Sequence, residues 1–467
     1  MSKRFKLNSE HQKILADTLT PVSVYLKIRD QFPHSLLLES SDYDARANNF
    51  SYICCNPIAS LSISGGKITY NFPNGSNQEK NLTVADQVPQ IVQDFAQQFE
   101  SKKFPFKFIT NGLFGFIAHE AVTHFENLSL RKDKDNLELP EIYYAVYQNI
   151  IAISLFNHEA HLFSHSYDGL NNLDEIERIL KKGNTTSYQF KKQGEKLSNL
   201  TDEEFISLVN KAKEHCFRGD VFQLVLSRQF SQGFSGDEFN VYRTLRSINP
   251  SPYLFFFDYG DFKIFGSSPE AQLVVEQGKA EIHPIAGTFK RTGNDQEDLA
   301  SAELLASDPK ENSEHVMLVD LARNDLSRNG NEVVVEKNRE IQFFSHVIHL
   351  VSKVTAYLKS NTKTFQVVAD TFPAGTLSGA PKHMALQLID RYENTARNAY
   401  GGALGYMDFE GNFNHCIIIR SFTSKNQQLH YQAGAGIVSK STPENELQEV
   451  YNKLGALDKA LTMAEKL

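Results

Sequence analysis

The chain has 467 residues, of which 41% are apolar and 22% are charged, and its net charge at neutral pH is −8. This length and apolar content are sufficient for a large core or for two domains. The acidic balance argues against nucleic acid as a partner, because phosphate contacts require clustered lysine and arginine. No apolar segment follows the basic first residues, and the longest apolar runs are too short to span a bilayer. We therefore expect a cytoplasmic protein without a membrane partner.

The cysteine pattern argues against structural disulfides and against a structural zinc site. The four cysteines, Cys54, Cys55, Cys216 and Cys416, form no CxxC pair and no regular framework. Such a pattern suits a reducing compartment and offers no ligand set for structural zinc. We therefore expect free thiols.

The first part of the chain is predicted to be rich in strands, because short apolar runs are separated by Asn, Gly and Asp. The apolar runs are 35–38, 61–70, 112–118 and 143–156, and the favoured helix is 83–99. Residues 181–200 are polar, basic and aperiodic, which is typical of a domain boundary. We therefore predict two regions, residues 1–190 and residues 191–467.

The second region opens with a helix that has signals at both ends. Thr201 and Glu204 form a capping box, apolar residues follow at helical spacing, and Gly219 is typical of a helix end. Strands are predicted at 221–230, 252–257, 262–266, 271–277, 416–423 and 428–433, and helices at 309–325, 381–394 and 443–465. Because no regular βαβ repeat is present, the pattern predicts an α+β fold.

Two of these helices begin with the same arrangement of acidic residues. Each has a predicted N-cap followed by proline, at Asp308 and at Thr442. The i, i+3 spacing then places two carboxylates on one face of each helix: Glu311 with Glu314, and Glu446 with Glu449. Two such faces brought together would bind a divalent cation such as magnesium. Acidic residues in a first helical turn can also simply complement the helix dipole.

Three glycine-containing segments are predicted to be turns that present backbone N–H groups to an anion. The longest, 373–382, links a predicted strand to a helix. Its two glycines, Gly375 and Gly379, are too close in sequence for a nucleotide-binding loop, so a carboxylate ligand fits better than ATP. The segments 434–436 and 286–288 each precede one acidic pair. Arg420, at the end of a predicted strand, is a candidate carboxylate clamp. Glycines that only relieve steric crowding are the alternative.

Several long blocks around these features resemble the chorismate-binding enzymes. They are HPIAGT (283–288), EHVMLVDLARND (314–325), FPAGTLSGAPK (372–382), YGGA (400–403) and QAGAGI (432–437). The blocks occur in the family's order over about residues 200–460. Upstream, LLLES (36–40) and NPSPY (249–253) are similar to the tryptophan site of feedback-inhibited anthranilate synthases. The resemblance implies large β-sheets packed as a sandwich with helices on the outside.

The resemblance also assigns catalytic roles by position. Glu270 matches the family's general acid, which protonates the departing C4 hydroxyl of chorismate while ammonia adds at C2. His349 matches an active-site histidine, whose alternative role is that of a hydrogen-bonded core residue. The implied substrate-binding residues are Gly287, Thr288, Thr376, Tyr400, Arg420, Gly434, Ala435, Gly436 and Lys453.

For the metal, the resemblance makes Glu314 and Glu449 magnesium ligands. Glu311 and Glu446 would contact the ion directly or through water, and the ion would hold the ring carboxylate of the substrate.

Two positions separate the implied reaction from those of similar enzymes. Gln223 stands where isochorismate synthases carry a lysine that activates water, so hydration is disfavoured. Ala286 stands where aminodeoxychorismate synthases carry a nucleophilic lysine, which leaves direct attack by ammonia. The implied products are anthranilate and pyruvate.

Aminodeoxychorismate synthase is the nearest alternative. Two further alternatives are disfavoured. A catalytically silent sensor of chorismate or tryptophan would need no general acid, and a magnesium phosphatase would need Asp-rich loops at strand ends, which the sequence does not show.

Ammonia requires a source, and none of the four cysteines lies in a Gly-x-Cys-x-Gly elbow. The resemblance therefore implies a separate glutamine amidotransferase subunit in a hetero-oligomer, for which free ammonium can substitute. It also implies feedback inhibition by tryptophan. The implied inhibitor-binding residues are Glu39, Ser40, Pro252, Tyr253 and Leu254.

Overall fold

The structure is a computed structural model, and it describes residues 5–40, 49–83, 87–135, 137–183, 185–343 and 347–467. No helix within these ranges is long and apolar enough to cross a membrane. The thiols of Cys54, Cys55, Cys216 and Cys416 are all free, as expected.

The elements before residue 200 are mostly strands. The helices are α1 Pro21–Ile28, α2 Val88–Ala96 and α3 Leu173–Lys181, with 3-10 helices at His119–His124 and Lys132–Lys134. The strands are β1 Phe5–Lys6, β2 Asn8–Leu15, β3 Leu36–Ser40, β4 Ser51–Ser64, β5 Lys67–Asn71, β6 Asn77–Asn81, β7 Phe99–Glu100, β8 Leu113–Ile117, β9 Ile142–Ser154, β10 Glu159–Ser166 and β11 Phe190–Ser198.

Helices and strands are mixed in the rest of the chain. The helices are α4 Asp202–Arg218, α5 Phe239–Ile248, α6 Asp295–Ser307, α7 Pro309–Ser327, α8 Thr364–Thr371, α9 Gly375–Ser378, α10 Lys382–Tyr392 and α11 Pro443–Ala464. The strands are β12 Gln223–Gly236, β13 Tyr253–Asp258, β14 Phe262–Ser268, β15 Ala271–Glu276, β16 Lys279–Ile282, β17 Ile285–Lys290, β18 Gly330–Phe343, β19 Val347–Leu358, β20 Gly379–Ala380, β21 Ala403–Met407, β22 Phe413–Ile417, β23 Ser421–Lys425 and β24 Gln428–Ile437.

Antiparallel pairing joins 22 of the described strands into one connected system, from which only β1 and β7 are separate. Successive side chains of a strand point to opposite faces, so each strand can bury two sets of residues. In β3, Leu36 and Leu38 belong to a core built from strands and loops alone, whereas Leu37 belongs to a core shared with helices. In β13, Phe255 and Phe256 divide in the same way. This alternation places one core between the sheets and the helices outside them, which confirms the predicted α+β sandwich.

Strands from the two predicted regions pair with each other. β3 lies between β4 and β13, and β8 pairs with β21. The boundary segment itself was predicted as irregular chain, and this is wrong for β11, which pairs with β12. β11 is largely exposed and bulged, so it lacks the alternation by which strands are recognised in sequence. The division into residues 1–190 and 191–467 stays a prediction.

Local capping signals were confirmed at α4 and α7, and only in part at α11 and α10. α4 has the predicted capping box at Thr201 and ends at Gly219, whose φ of 83° is left-handed. The Asp308 side chain accepts a hydrogen bond from the Glu311 N–H at 3.0 Å, which confirms the cap of α7. Thr442 occupies the N-cap position of α11, but its side chain makes no capping hydrogen bond. α10 begins at Lys382, so Pro381 is its N-cap and not its first helical residue.

Four expectations from glycine and apolar patterns were wrong. Residues 434–436 lie inside β24 and not in a turn, because they pair with β12 over their whole length. Residues 286–288 lie in β17, where Gly287 forms a bulge against β19. The segment 373–382 follows helix α8 and not a strand. The predicted strand 416–423 is divided into β22 and β23, because Arg420 between them has a φ of +52°.

Candidate active site

Glu270 lies in the short connection between β14 and β15, where its carboxyl group is buried. Burial raises its pKa to about 8, because loss of hydration disfavours the charged form. The Thr376 hydroxyl donates a hydrogen bond to Oε1 at 3.0 Å, and this bond and the charge of Lys453 partly oppose the increase in pKa. Glu270 therefore holds a proton at neutral pH and can donate it.

The segment that carries Thr376 is held by close backbone contacts. A Cβ atom on Gly375 would lie 2.1 Å from a methyl carbon of Leu321 in α7, so a larger residue here would require the Leu321 side chain to shift. Gly379 has a φ of +131°, and a Cβ there would lie 2.2 Å from the Gln223 carbonyl oxygen. These glycines therefore place the segment between α7 and β12, with the Thr376 hydroxyl directed at Glu270.

Two glycines of β24 leave space for polar side chains. A Cβ atom on Gly436 would lie 2.5 Å from the Gln223 amide nitrogen, and one on Gly434 would lie 3.2 Å from the Tyr400 hydroxyl. Ala435 lies between them, opposite Leu226 of β12. The segment predicted as a turn is therefore a strand that has almost no side chains, and its role in binding an anion stays a prediction.

Two cations lie next to this strand. Lys453 donates hydrogen bonds to the Gly434 carbonyl at 2.7 Å and to Glu449 at 2.6 Å. The Arg420 guanidinium donates to the Lys453 carbonyl. Burial raises the pKa of the Tyr400 hydroxyl to about 12, although the nearby guanidinium groups oppose this. The site thus combines positive charge with a neutral hydroxyl donor, which is suited to carboxylate groups of a ligand.

His349 lies on β19 opposite Thr288 of β17. Its Nδ1 bonds the Gly287 carbonyl at 2.9 Å, and since a carbonyl only accepts, Nδ1 carries the proton. Burial is the main cause that lowers the pKa of His349, and Arg420 lowers it further. The imidazole is therefore neutral near pH 7. The side chain of Thr288 lies outside the described part of the structure.

The four candidate metal ligands lie on α7 and α11, as predicted. A Cβ atom on Gly287 would lie 3.1 Å from an Oε of Glu311, so this carboxylate reaches the β17 bulge. Glu446 is buried, whereas Glu449 is partly exposed in its ion pair with Lys453. Within the described residues, no group of three or more His, Cys, Asp or Glu side chains converges closely enough to hold a metal. The assignment of Glu311, Glu314, Glu446 and Glu449 as ligands stays a prediction.

The five candidate inhibitor residues lie together on two paired strands. Ser40 is opposite Tyr253 and Glu39 is opposite Leu254 in the pair of β3 and β13. Pro252 directly precedes β13. Ser40 is exposed, but Glu39 is only 3% exposed. The carboxylate of Glu39 is bound by two side chains of α5.

Arg246 and Tyr242 are the partners of Glu39 that sequence reasoning missed. Arg246 donates to both carboxylate oxygens at 2.8 Å, and the Tyr242 hydroxyl donates at 2.5 Å. The two donors are four residues apart on one face of α5, and this spacing was the available signal. The structure therefore gives Glu39 a full set of protein partners.

Comparison with known proteins supports the resemblance. The profile of the family described as chorismate binding enzyme matches residues 36–459, so the chain belongs to this family. It is 35% identical to the anthranilate synthase component 1 of Aquifex aeolicus, over 100% of this chain and 97% of the relative. This confirms the predicted resemblance to component I of anthranilate synthases.

Two solved structures share the fold. The crystal structure of anthranilate synthase component I from Streptococcus pneumoniae has a TM-score of 0.74 and 29% identity, over 96% of this chain and 99% of that one. The menaquinone-specific isochorismate synthase MenF of Escherichia coli has a TM-score of 0.74 at 17% identity, over 99% and 96% of the two chains. The second similarity concerns the fold alone.

Proposed function

We propose that the chain converts chorismate and ammonia to anthranilate and pyruvate, as the large subunit of a tryptophan-inhibited anthranilate synthase in the cytoplasm. The observation that carries this proposal is the buried carboxyl of Glu270, which accepts a hydrogen bond from Thr376 and lies close enough to Lys453 to feel its charge. Membership of the chorismate-binding family supports the substrate, and the component 1 relatives support the choice of reaction.

In the proposed mechanism, Glu270 transfers its proton to the C4 hydroxyl of chorismate, which leaves as water. Ammonia forms the new bond at C2 and loses a proton to solvent. Loss of pyruvate, with the C2 proton, then makes the ring aromatic. A buried carboxyl with a pKa of about 8 suits the first step, since an efficient general acid has a pKa near the working pH.

The two carboxylates of chorismate would be held by Arg420, Lys453, Tyr400 and the backbone of β24. Lys453 and Arg420 supply positive charge, and the Gly434–Gly436 segment lets the substrate approach the backbone. His349 would hold the Gly287 bulge through its Nδ1 proton, and thereby orient the backbone of β17.

Glu311, Glu314, Glu446 and Glu449 would hold magnesium, because a set of carboxylate oxygens alone suits this ion better than a softer metal. The buried carboxylate of Glu446 fits such a role, since a buried charge requires a compensating cation or hydrogen bonds. When bound, magnesium would supply positive charge to the ring carboxylate of the substrate.

Gln223 would orient ammonia and not activate water. Its side chain is buried beside Gly436, and a neutral amide does not take up a proton at neutral pH. Ala286 offers no nucleophile, so the substrate would stay noncovalent throughout. A glutamine amidotransferase subunit would supply the ammonia in a hetero-oligomer.

Tryptophan would bind at Glu39, Ser40, Pro252, Tyr253 and Leu254. These residues come from β3, before residue 190, and from β13, after it, so the site would join the proposed regulatory and catalytic regions. Tyr253 is also opposite Ser268, two residues before Glu270. Ligand binding at β3 and β13 is therefore only one strand away from the connection that carries the general acid.

The test is to identify the product that the purified chain forms from chorismate with magnesium and ammonium. We expect anthranilate, detected by its fluorescence and by chromatography, and a decrease when tryptophan is added. Glutamine in place of ammonium, without a partner subunit, should give no product. An amino-deoxychorismate that retains the enolpyruvyl group, or no turnover, would contradict the proposal.

A further inference from the structure

Glu393 and Arg397 form an ion pair that the proposed mechanism does not use. The Arg397 side chain is 1% exposed and that of Glu393 is 3% exposed. The guanidinium donates through Nη2 to Oε1 at 2.7 Å and through Nε to Oε2 at 2.9 Å. Such a pair overcomes its loss of hydration only when additional hydrogen bonds satisfy both partners.

The remaining donors of Arg397 bind two backbone carbonyls near the candidate active site. Nη1 donates to the Leu377 carbonyl at 2.6 Å, and Nη2 also donates to the Val225 carbonyl at 2.9 Å. Leu377 directly follows Thr376 in α9, and Val225 is opposite Gly436 in the pair of β12 and β24. Arg397 therefore connects α9 to the strand that carries Gln223.

Glu393 extends this network to a third segment. Its Oε1 accepts hydrogen bonds from the Ser227 backbone N–H at 2.8 Å and from the Ser227 hydroxyl at 2.6 Å. The same hydroxyl accepts from the Gln432 amide at 2.7 Å, two residues before Gly434 in β24. One buried pair thus links α9, β12 and β24, which are the segments proposed to surround the substrate.

α9 needs such a link, because it has only one turn. An isolated helix of four residues is unstable, since nucleation costs more than one hydrogen bond returns. The local bonds of this turn are few, and the Leu377 carbonyl is bound by the buried guanidinium. The place of Thr376, and with it the 3.0 Å bond to Glu270, depends on this contact.

We propose that the Glu393–Arg397 pair is a positioning device for the general acid, because it fixes the Leu377 carbonyl and thereby the Thr376 hydroxyl against Glu270. This inference rests on the proposed role of Glu270 as the proton donor. Neither Glu393 nor Arg397 touches the substrate in this proposal. Their effect on the reaction passes through Thr376, which a purely structural ion pair elsewhere in the fold would not show.

The test compares the pH dependence of kcat/KM in Arg397→Lys with that of the wild-type chain, using ammonium as the nitrogen source. Lysine keeps the positive charge but cannot bind both backbone carbonyls and Glu393 with one planar group. Rates are expressed per unprotonated ammonia, because this fraction also rises with pH. The matched control is Arg29→Lys, which alters another bidentate pair, the partly buried one with Asp237, at 2.6 and 3.1 Å.

We expect Arg397→Lys to lower kcat about tenfold to a hundredfold, which is typical of a misplaced catalytic group. The alkaline limb of the profile should also move to higher pH. The Thr376 hydrogen bond lowers the pKa of Glu270, so its loss leaves the acid protonated to a higher pH. Thr376→Val should move the limb in the same direction, and Arg29→Lys should not move it.

A double variant tests whether Arg397 acts through Thr376. If it does, Arg397→Lys should not move the limb further in a chain that already carries Thr376→Val, since the two effects are not additive. Ser227→Ala provides a milder variant if Arg397→Lys does not fold, because it removes the Ser227 hydroxyl and leaves the ion pair in place. It should lower kcat in the same direction by a smaller factor.

Two results would overturn the proposal: an alkaline limb in Arg397→Lys that coincides with the wild-type limb, or limb shifts that add in the double variant. If Arg397→Lys does not fold, unchanged kcat and limb in Ser227→Ala would overturn it as well. A wild-type chain that forms no anthranilate would instead refute the proposed function. The two failures are therefore distinguishable.

Discussion

Glu270 and Glu39 are two buried glutamates of one strand system, and their surroundings are opposite. Glu270 is 9% exposed and receives one neutral hydrogen bond, from Thr376, so its carboxyl keeps a proton. Glu39 is 3% exposed and receives two bonds from the Arg246 guanidinium and one from Tyr242. Burial alone therefore does not decide what a carboxyl group does. The partners decide whether it becomes an acid or half of an ion pair.

The largest expected effect is that of Glu270→Gln, which removes the proton donor and keeps the shape. We expect anthranilate formation with ammonium to fall by about 10²-fold to 10⁴-fold, the usual contribution of a general acid. Steady-state fluorescence measures this loss. Glu79→Gln is the control, because Glu79 is exposed and pairs with the equally exposed Lys67 at the surface. Activity within tenfold of wild type in Glu270→Gln would remove Glu270 from the mechanism.

The second prediction concerns the ion pair of Glu39. Arg246→Met should lower the free energy of unfolding by about 3 kcal/mol, because it leaves a buried carboxylate without its cation. Urea unfolding measures the change. Arg243→Met is the matched control on the same helix, since Arg243 donates a hydrogen bond to the uncharged Asn240 side chain in the turn before it. Equal stability of the two variants would show that Glu39 does not depend on Arg246.

The third prediction concerns the contribution of Glu270 to the pH dependence of the free energy of unfolding. The folded-state pKa of Glu270 is raised from 4.5 to about 8, so the folded chain holds an extra proton in this window and loses stability as pH rises through it. Glu270→Gln should lack this loss. At pH 8.5 it should be more stable than wild type by on the order of 5 kcal/mol, because each pH unit between 4.5 and about 8 costs the folded wild type about 1.4 kcal/mol, and at pH 4.5 the difference should vanish. Unfolding free energies that stay parallel from pH 4.5 to 8.5 would contradict the raised pKa.

The smallest expected effect lies on the exposed side of the Glu39 region. Ser40→Phe should raise the tryptophan concentration needed for half inhibition about tenfold, because a steric conflict of this kind costs about 1–3 kcal/mol. Initial rates with ammonium should stay as in wild type. Ser64→Phe is the control, since Ser64 is an exposed serine at the end of β4. Unchanged inhibition would place the tryptophan site elsewhere.

Local sequence signals predicted the parts of the fold that local interactions determine. The cap at Thr201, the stop at Gly219 and the cap at Asp308 are all present, because each depends on groups within a few residues. The β18–β19 hairpin was missed, since residues of β18 are mostly exposed and its pairing is irregular. Helix α6 was missed for a related reason, because it buries only a few of its residues.

In the candidate site, too, features that depend on distant parts of the chain were harder to predict than local ones. Gly434 and Gly436 lie beside Gln223 and Tyr400, but the sequence predicted them as a turn, since glycine in a strand is recognised only through its partner strand. The partners of Glu39, Arg246 and Tyr242, lie more than 200 residues away in sequence. Such contacts are fixed by the packing of α5 on the sheet. The four-residue spacing of the two donors indicates a shared helix face, but it does not show that this face meets Glu39.

The most direct test of the central claim is a titration of the Glu270 carboxyl by infrared difference spectroscopy, with Glu270→Gln as the reference. The wild-type chain should show the C=O band of a protonated carboxylic acid at pH 6.5, which disappears with a midpoint near pH 8 and is absent from Glu270→Gln. A carboxylate band already present at pH 6.5, with no protonated band, would contradict the assignment of Glu270 as the acid.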